Sequence, residues 1–384
     1  LPDGEHSPVY RLFKDSNQGS WISTYRKLFY RHHQQQWQTV TGSELGTMPW
    51  FSDVFEDAQQ NIWLASFSDG IYRATAGNIR RLVDGLADPV VRSVALSPTN
   101  ELVVSSQSAL QTLNSNGEFT TLLSADILGG QTIHDLFWPQ PHILWLGADS
   151  GLLQFNLQSR EVSTPYPGLQ GNTIKVVQPA KNGGVWVGGV RGLYLVADNQ
   201  LNLSPLNEQF ESRNISVVQQ TEQQLYVGTT RGIYQYDGAV LQRLGVGLPL
   251  YNSYILAVLQ LPDNTLLIST IDDGVFIRKA DNSWLKLHSG NGMPHGPAVS
   301  FSYDHDQQQV WVSSHKGIFR LALASLPLNA NQPFIIDEVL TPFDRQLGSG
   351  PNRCCNGAGH AKIVRWQGEY WFPTLQGLIA VQAD

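Results

Sequence analysis

The residues best suited to chemistry lie in one short stretch, Arg353-Cys354-Cys355-Asn356-Gly357-Ala358-Gly359-His360, followed at once by Lys362. Cys354 and Cys355 are the chain's two cysteines. Their adjacency excludes a long-range disulfide and a four-cysteine metal site. In an oxidising compartment they can join as a vicinal disulfide, a rigid apolar knuckle. Asn356-Gly357-Ala358-Gly359 reads as a tight turn with backbone N–H groups to offer, and Arg353, His360 and Lys362 flank it with positive or titratable groups. Such a pattern suits a clamp over a ligand. The competing reading is a plug that packs two thiols. A catalytic cysteine is disfavoured, because no particular histidine can be paired with it. No GxSxG, HExxH or P-loop is present. Asp304-His305-Asp306 reads as an exposed turn, and the adjacency of Asp272 and Asp273 sets no catalytic spacing. No catalytic residue, metal ligand or cofactor is therefore assigned.

What must position this stretch is a repeat. The cleanest copy, Val185-Trp186-Val187-Gly188-Gly189-Val190-Arg191-Gly192-Leu193-Tyr194, is an apolar strand, a small polar turn ending in glycine, and a second apolar strand with an aromatic. It recurs around Trp21, Trp63, Val103, Trp145, Trp186, Tyr226, Leu267, Trp311 and Trp371, at separations of 42, 40, 42, 41, 40, 41, 44 and 60. A period of about 40–45 residues with short alternating strands is the signature of propeller blades. In the third copy, residues 90–96, 102–105, 110–113 and 119–123 read as four strands joined by tight turns. The predicted fold is all-β, a β-propeller of four-stranded antiparallel blades with nine blade repeats over residues 1–384.

The large residue of the second strand (Trp63, Trp145, Trp186, Trp311) is assigned to packing between blades. The recurring glycine (Gly70, Gly151, Gly192, Gly232, Gly274, Gly317, Gly377) allows positive φ at the turn into the third strand. The ninth repeat stops after its third strand, and two closures compete. One continuous ring of nine repeats is preferred. The alternative is a seven-bladed ring from about residue 79, with residues 79–83 as the missing outer strand and the first two repeats belonging to a preceding propeller.

Composition narrows the function. Net charge is −7 with 15% charged residues and no Lys/Arg run, which argues against nucleic acid. An apolar fraction of 41% with 11 Trp argues against disorder. No apolar stretch approaches the roughly 18 residues of a membrane span, so any membrane link runs through flanking segments. The opening Leu1-Pro2-Asp3-Gly4 has no signal-peptide pattern, and the chain reads as a mature or trimmed soluble piece.

On a propeller's channel face, the second-to-third-strand turns supply Arg26, Asp69, Asp149, Arg191, Arg231, Asp272, Asp273, His315 and Lys316. The inter-blade loops supply Trp50, Arg92, His134, Lys175, Asn214, Asn252 and His295. The long connection over residues 340–362, which accounts for the 60-residue last separation, lies on the same face. The candidate ligand-binding set is Arg353, Cys354, Cys355, Asn356, His360, Lys362, Arg92, Lys175, Arg191 and Arg231. Arginine and aromatic groups mixed in this way suit a small polar ligand such as an oligosaccharide or sugar acid.

The blade text also resembles a known family. Asn61-Ile62-Trp63-Leu64-Ala65-Ser66 with Asp69-Gly70-Ile71-Tyr72, Val185-Trp186-Val187-Gly188 with Arg191-Gly192-Leu193-Tyr194, and Leu225-Tyr226-Val227-Gly228-Thr229 with Arg231-Gly232-Ile233-Tyr234 resemble the two-component regulator propeller repeat. The resemblance covers essentially the whole chain. It implies a periplasmic sensor region of a bacterial receptor whose output is a histidine kinase or a diguanylate cyclase. The stretch Asn352-Arg353-Cys354-Cys355-Asn356-Gly357-Ala358-Gly359 looks like the last-blade segment of the cyclase-linked type. Kinase, cyclase and three-tyrosine linker are not in this sequence, so the expectation is a non-enzymatic sensing part. It would bind a small polar ligand or a partner protein, with a homodimer in the full receptor. The alternatives are a carbohydrate-active propeller hydrolase or lyase, and a protein-binding scaffold.

Overall fold

Short alternating runs separated by Gly, Asn, Asp and Pro turns fold as antiparallel meanders. The third repeat carries strands Val91–Leu96, Leu102–Ser106, Leu110–Leu113 and Phe119–Leu123, hydrogen-bonded in chain order. The structure is a computed structural model. It describes residues 6–16, 18–25, 27–32, 37–39, 50–57, 62–68, 70–74, 79–294, 296–327, 332–340, 354–355, 360 and 362–383. Arg353 and Asn356, with Arg26, Asp69 and His295, lie outside the described residues.

The chain divides into two compact units, Leu1–Arg80 and Arg81–Asp384. The first holds a four-stranded sheet (Val9–Lys14, Gly19–Thr24, Lys27–His32, Gln38–Thr39) and a sheet with three strands among the described residues (Phe51–Glu56, Ile62–Ser66, Ile71–Ala74). Trp21, Leu28, Phe51, Val54, Ile62 and Leu64 are its core.

The second unit is a closed ring of seven blades. Their inner strands are Val91–Leu96, Ile133–Gln140, Ile174–Pro179, Ile215–Gln220, Ile255–Gln260, Ala298–Asp304 and Val364–Trp366. The last blade (Val364–Trp366, Glu369–Thr374, Gly377–Gln382) takes its fourth strand from Ile79–Leu82. The preferred nine-repeat closure is thus replaced by the seven-blade alternative. The physical reason is edge satisfaction. The last blade needs an outer strand, residues 79–82 supply it, and Val9–Lys14 is already paired with Gly19–Thr24 in its own sheet.

Each seam between blades is apolar, as a stacked repeat requires. Val103 and Leu110 pack with Ile133 and Leu146, Trp145 with Val187, and Val176 with Ile215. Ile233 packs with Ile255, and Leu267 with Val310. Between the sixth and seventh blades Trp311 stacks on Tyr370, with ring centroids 4.6 Å apart. Closing the circle, Val91 and Leu102 meet Trp366, Trp371 and Leu378.

The tryptophans follow their assigned packing role unevenly. Trp311 and Trp145 are buried and Trp186 is half-buried, but Trp63 is 37% exposed. Its indole N–H instead donates to Asp57 Oδ2 at 2.7 Å, so the second repeat does not use it as a core residue. The turn glycines take positive φ except Gly317, which is not among the positive-φ residues. At Gly377 (φ 123°) the requirement is double, since a Cβ would lie 2.7 Å from the Leu82 carbonyl oxygen of the closing strand.

Candidate functional site

The inner strands line the channel, and the first six share one irregularity near the start. Pairing with the second strand skips a single residue: Arg92, His134, Lys175, Ser216, Leu256 and Val299 in turn. A β-bulge leaves its extra residue unpaired and re-aims its side chain. The first six blades therefore carry equivalent bulge positions. Three consecutive ones carry Arg, His and Lys, and the next three carry Ser, Leu and Val.

The seventh blade expands this position. Cys355 pairs with Thr374, and the ladder resumes at Val364 with Trp371. In the third blade Ile174 and Gln178 bracket the same three-step stretch of partner strand, four residues apart where Cys355 and Val364 are nine apart, so five extra residues enter at the bulge. The loop bond confirms the equivalence: Leu375 N donates to Cys354 O at 3.0 Å, as Val190 N does to Thr173 O at 3.1 Å. Cys355 thus fills the apolar slot held elsewhere by Ile133, Ile174, Ile215 and Ile255.

This decides between clamp and plug for the cysteines. Cys354 and Cys355 are joined as a vicinal disulfide. They are 0% and 5% exposed. Their N–H groups donate to the His315 and Ser314 carbonyls of the sixth blade at 3.1 and 3.3 Å. They seal the seam between the sixth and seventh blades and offer a ligand almost no surface, a correction to their place in the candidate set.

His360 and Lys362 bond to the second and first blades. The His360 N–H donates to Asp135 Oδ1 at 3.1 Å. Asp135, 0% exposed, also accepts from Val177 N at 2.8 Å and Leu136 N at 3.1 Å. Lys362, 3% exposed, donates to the Arg92 carbonyl oxygen and to Ser93 Oγ at 3.5 Å. Burial pulls the Lys362 ammonium down to about 8, Asp135 opposing and Arg92 adding to the effect. His360 is likewise pushed below the usual histidine range, by burial above all. Its Nε2 is enclosed and has no hydrogen-bond partner among the described residues.

His134 sits against Asp149, with 2.7 Å between Nε2 and Oδ1. Burial lowers its pKa, the Asp149 bond opposing and Lys362 and Lys175 assisting. For Asp149, burial raises the pKa, but the Thr132 N–H and His134 together outweigh it and hold the carboxylate low. Lys175 extends from the third blade to Asn214 Oδ1 of the fourth (3.0 Å) and Tyr254 OH of the fifth (3.4 Å). Arg92 binds Gln107 Oε1 through Nε and Nη2, at 3.2 and 2.9 Å.

Of the candidate set, Arg92, Lys175, His360 and Lys362 converge. Arg191 and Arg231 keep to their own loops, on Gln170 O (3.4 Å) and near Glu211 (4.0 Å). Asp135 was missed, and His134 and Asp149 stood only among the loop residues. The usable signal for His134 was a polar residue following an isoleucine at the start of an inner strand, as in Ile133-His134, Ile174-Lys175 and Ile215-Ser216. Asp304, expected at the surface, is 1% exposed, and its Oδ1 accepts the Asp306 and Gln307 N–H groups. A separate cleft of about 410 Å³, lined by Asp272, Asp273, Lys286, His288 and Met293 among others, contains none of the candidate residues. Among the described residues no cluster fits a metal ion. No described helix is long and apolar enough to cross a membrane.

The geometry has solved counterparts. The extracellular domain described for a hybrid two-component system of B. thetaiotaomicron superposes with a TM-score of 0.64 at 16% identity, covering 98% of this chain and 51% of that one. The fold is a β-propeller. Virginiamycin B lyase from Staphylococcus aureus shares it at a TM-score of 0.58 and 12% identity, over 80% of this chain and 99% of the lyase. So does PorZ, a surface component of the type-IX secretion system of Porphyromonas gingivalis, at 0.52 and 11% identity over 99% and 69%. The chain spans about half the length of the two-component protein's solved domain. No protein-family model matches the chain, and no curated protein sequence matches it. A fold shared by a two-component extracellular domain and a lyase does not by itself fix function.

Proposed function

We propose that this propeller is the extracytoplasmic, periplasmic ligand-sensing part of a bacterial signal-transduction receptor. It takes a small polar ligand at the channel mouth and has no chemistry of its own. The observation that carries the reading is that His360 and Lys362, which precede the seventh blade's inner strand, are bonded to Asp135 and Arg92 of the first two blades, beside His134. A ligand touching Lys175 and His134 lies next to these polar bonds between blades. Differential affinity for two arrangements of such bonds is what a signal requires. The repeat text and the likeness to a two-component extracellular domain favour the same reading.

The hydrogen-bonded His134–Asp149 pair favours a second reading, a carbohydrate-active lyase or hydrolase with His134 as base. A thermal-shift screen against oligosaccharides, sugar acids and amino acids, with product analysis of every hit, separates the two. A ligand that stabilises the parent but not His134→Ala or Lys175→Met, and is recovered unchanged, supports the sensor. A consumed ligand supports the enzyme. Stabilisation indifferent to both variants removes the channel mouth as the site, and a screen without hits favours a protein partner.

A further inference from the structure

Resting on that reading, we infer that the ligand is a hydroxylated carboxylic acid, with Lys175 as its charge partner and His134 beside it.

The bulge ring is electrically lopsided, with Arg92, His134 and Lys175 on the first three blades and Ser216, Leu256 and Val299 on the next three. Within the basic arc the cations are not equivalent. His134 is matched by Asp149. Lys362 is buried and engaged with Arg92 O and Ser93 Oγ. Lys175 is held only by neutral oxygens, Asn214 Oδ1 and Tyr254 OH. No described carboxylate pairs with it, and it is close enough to His134 to act on that ring electrostatically. Partly buried, Lys175 keeps an unmatched charge where screening is weaker than in water.

Asn214 and Tyr254 beside Lys175 supply the amide and phenol that bind hydroxyl groups. A carboxylate flanked by hydroxyls, as in a uronic acid, satisfies all of them.

The test is isothermal calorimetry of the whole chain with D-glucuronate, D-galacturonate, D-glucose and inorganic phosphate, on the parent, Lys175→Met and Arg231→Ala. The expected result is uronate binding that weakens with added salt, with glucose roughly tenfold weaker or worse. Lys175→Met, at an unchanged thermal midpoint, loses about the same factor for uronate, while Arg231→Ala binds like the parent. Equal affinity for glucose and glucuronate, both reduced by Lys175→Met, overturns the carboxylate while leaving the channel-mouth sensor standing. Binding of phosphate without uronates overturns it in favour of an inorganic anion. Uronate binding untouched by Lys175→Met overturns both the inference and the site. No heat with any probe overturns the inference.

Discussion

The His360 N–H donates to Asp135 Oδ1 at 3.1 Å, joining residues 225 apart in the chain. The same carboxylate holds Val177 N on the third blade and Leu136 N on its own. One buried side chain therefore ties together two blades and His360. Asp135→Ala leaves these N–H groups without that acceptor, and should lower stability by about 3 kcal/mol. Asp135→Asn, which keeps one carbonyl oxygen, should lose less. Urea unfolding of both variants checks this, and equal stability of parent and alanine variant would refute it.

Lys362 makes stability depend on alkaline pH. Its folded value of about 8 lies below the ordinary 10.5, so between these limits the unfolded chain holds a proton that the folded chain has released. Stability therefore rises with pH across that window, by up to about 1.4 kcal/mol per pH unit from this group. Unfolding free energies of the parent relative to Lys362→Met, at pH 7.5 and 9.5, should show that rise. A flat difference would mean that Asp135 keeps the ammonium charged throughout.

Acid should act in the opposite sense on the histidines. His134, His315 and His360 all have folded values depressed chiefly by burial. As pH falls through 6.5 the unfolded chain takes up protons first, so stability falls. Asp149 and Asp135 moderate this for His134 and His360, and Lys175 and Lys362 sharpen it. The midpoint of thermal unfolding should drop between pH 7 and pH 5, less so in His360→Gln, and by NMR the His360 ring should titrate below the ordinary histidine value.

Ring closure by Ile79–Leu82 makes a truncation prediction. A chain beginning at residue 79 keeps the outer strand of the last blade. One beginning at residue 86 exposes that blade's edge and should unfold at lower temperature and aggregate. Scanning calorimetry with light scattering compares them, and identical behaviour would argue against this closure.

Two tryptophans at the same repeat position should differ widely. Trp311, 0% exposed and stacked on Tyr370, should cost about 3–5 kcal/mol on replacement by alanine. Trp63, 37% exposed and tied to Asp57, should cost about 1 kcal/mol or less. Urea titration of the two single variants decides it.

Residues alone determined the blade. Alternation, turn glycines and a period near 41 are local properties, and they placed Leu110–Leu113 and Phe119–Leu123 to the residue. Basic groups at loop-to-strand junctions such as Arg92 and Lys175 are also visible as text, but the text does not say which of the ten candidate residues lie together. Tertiary structure decided what no local pattern encodes. A nine-repeat ring and closure by residues 79–83 both fitted the text, and only pairing shows that Ile79–Leu82 completes the last blade. Cys354 and Cys355 fitted either a ligand clamp or a plug, and the place Cys355 takes in the ladder is set by its partner Thr374 across the sheet. Asp135 was invisible because its worth lies in N–H groups 42 and 225 residues away. A blade's own residues specify its strands through short-range sterics and alternation. The site at the channel mouth arises where seven such blades meet, and that meeting is set by long-range packing and hydrogen bonds.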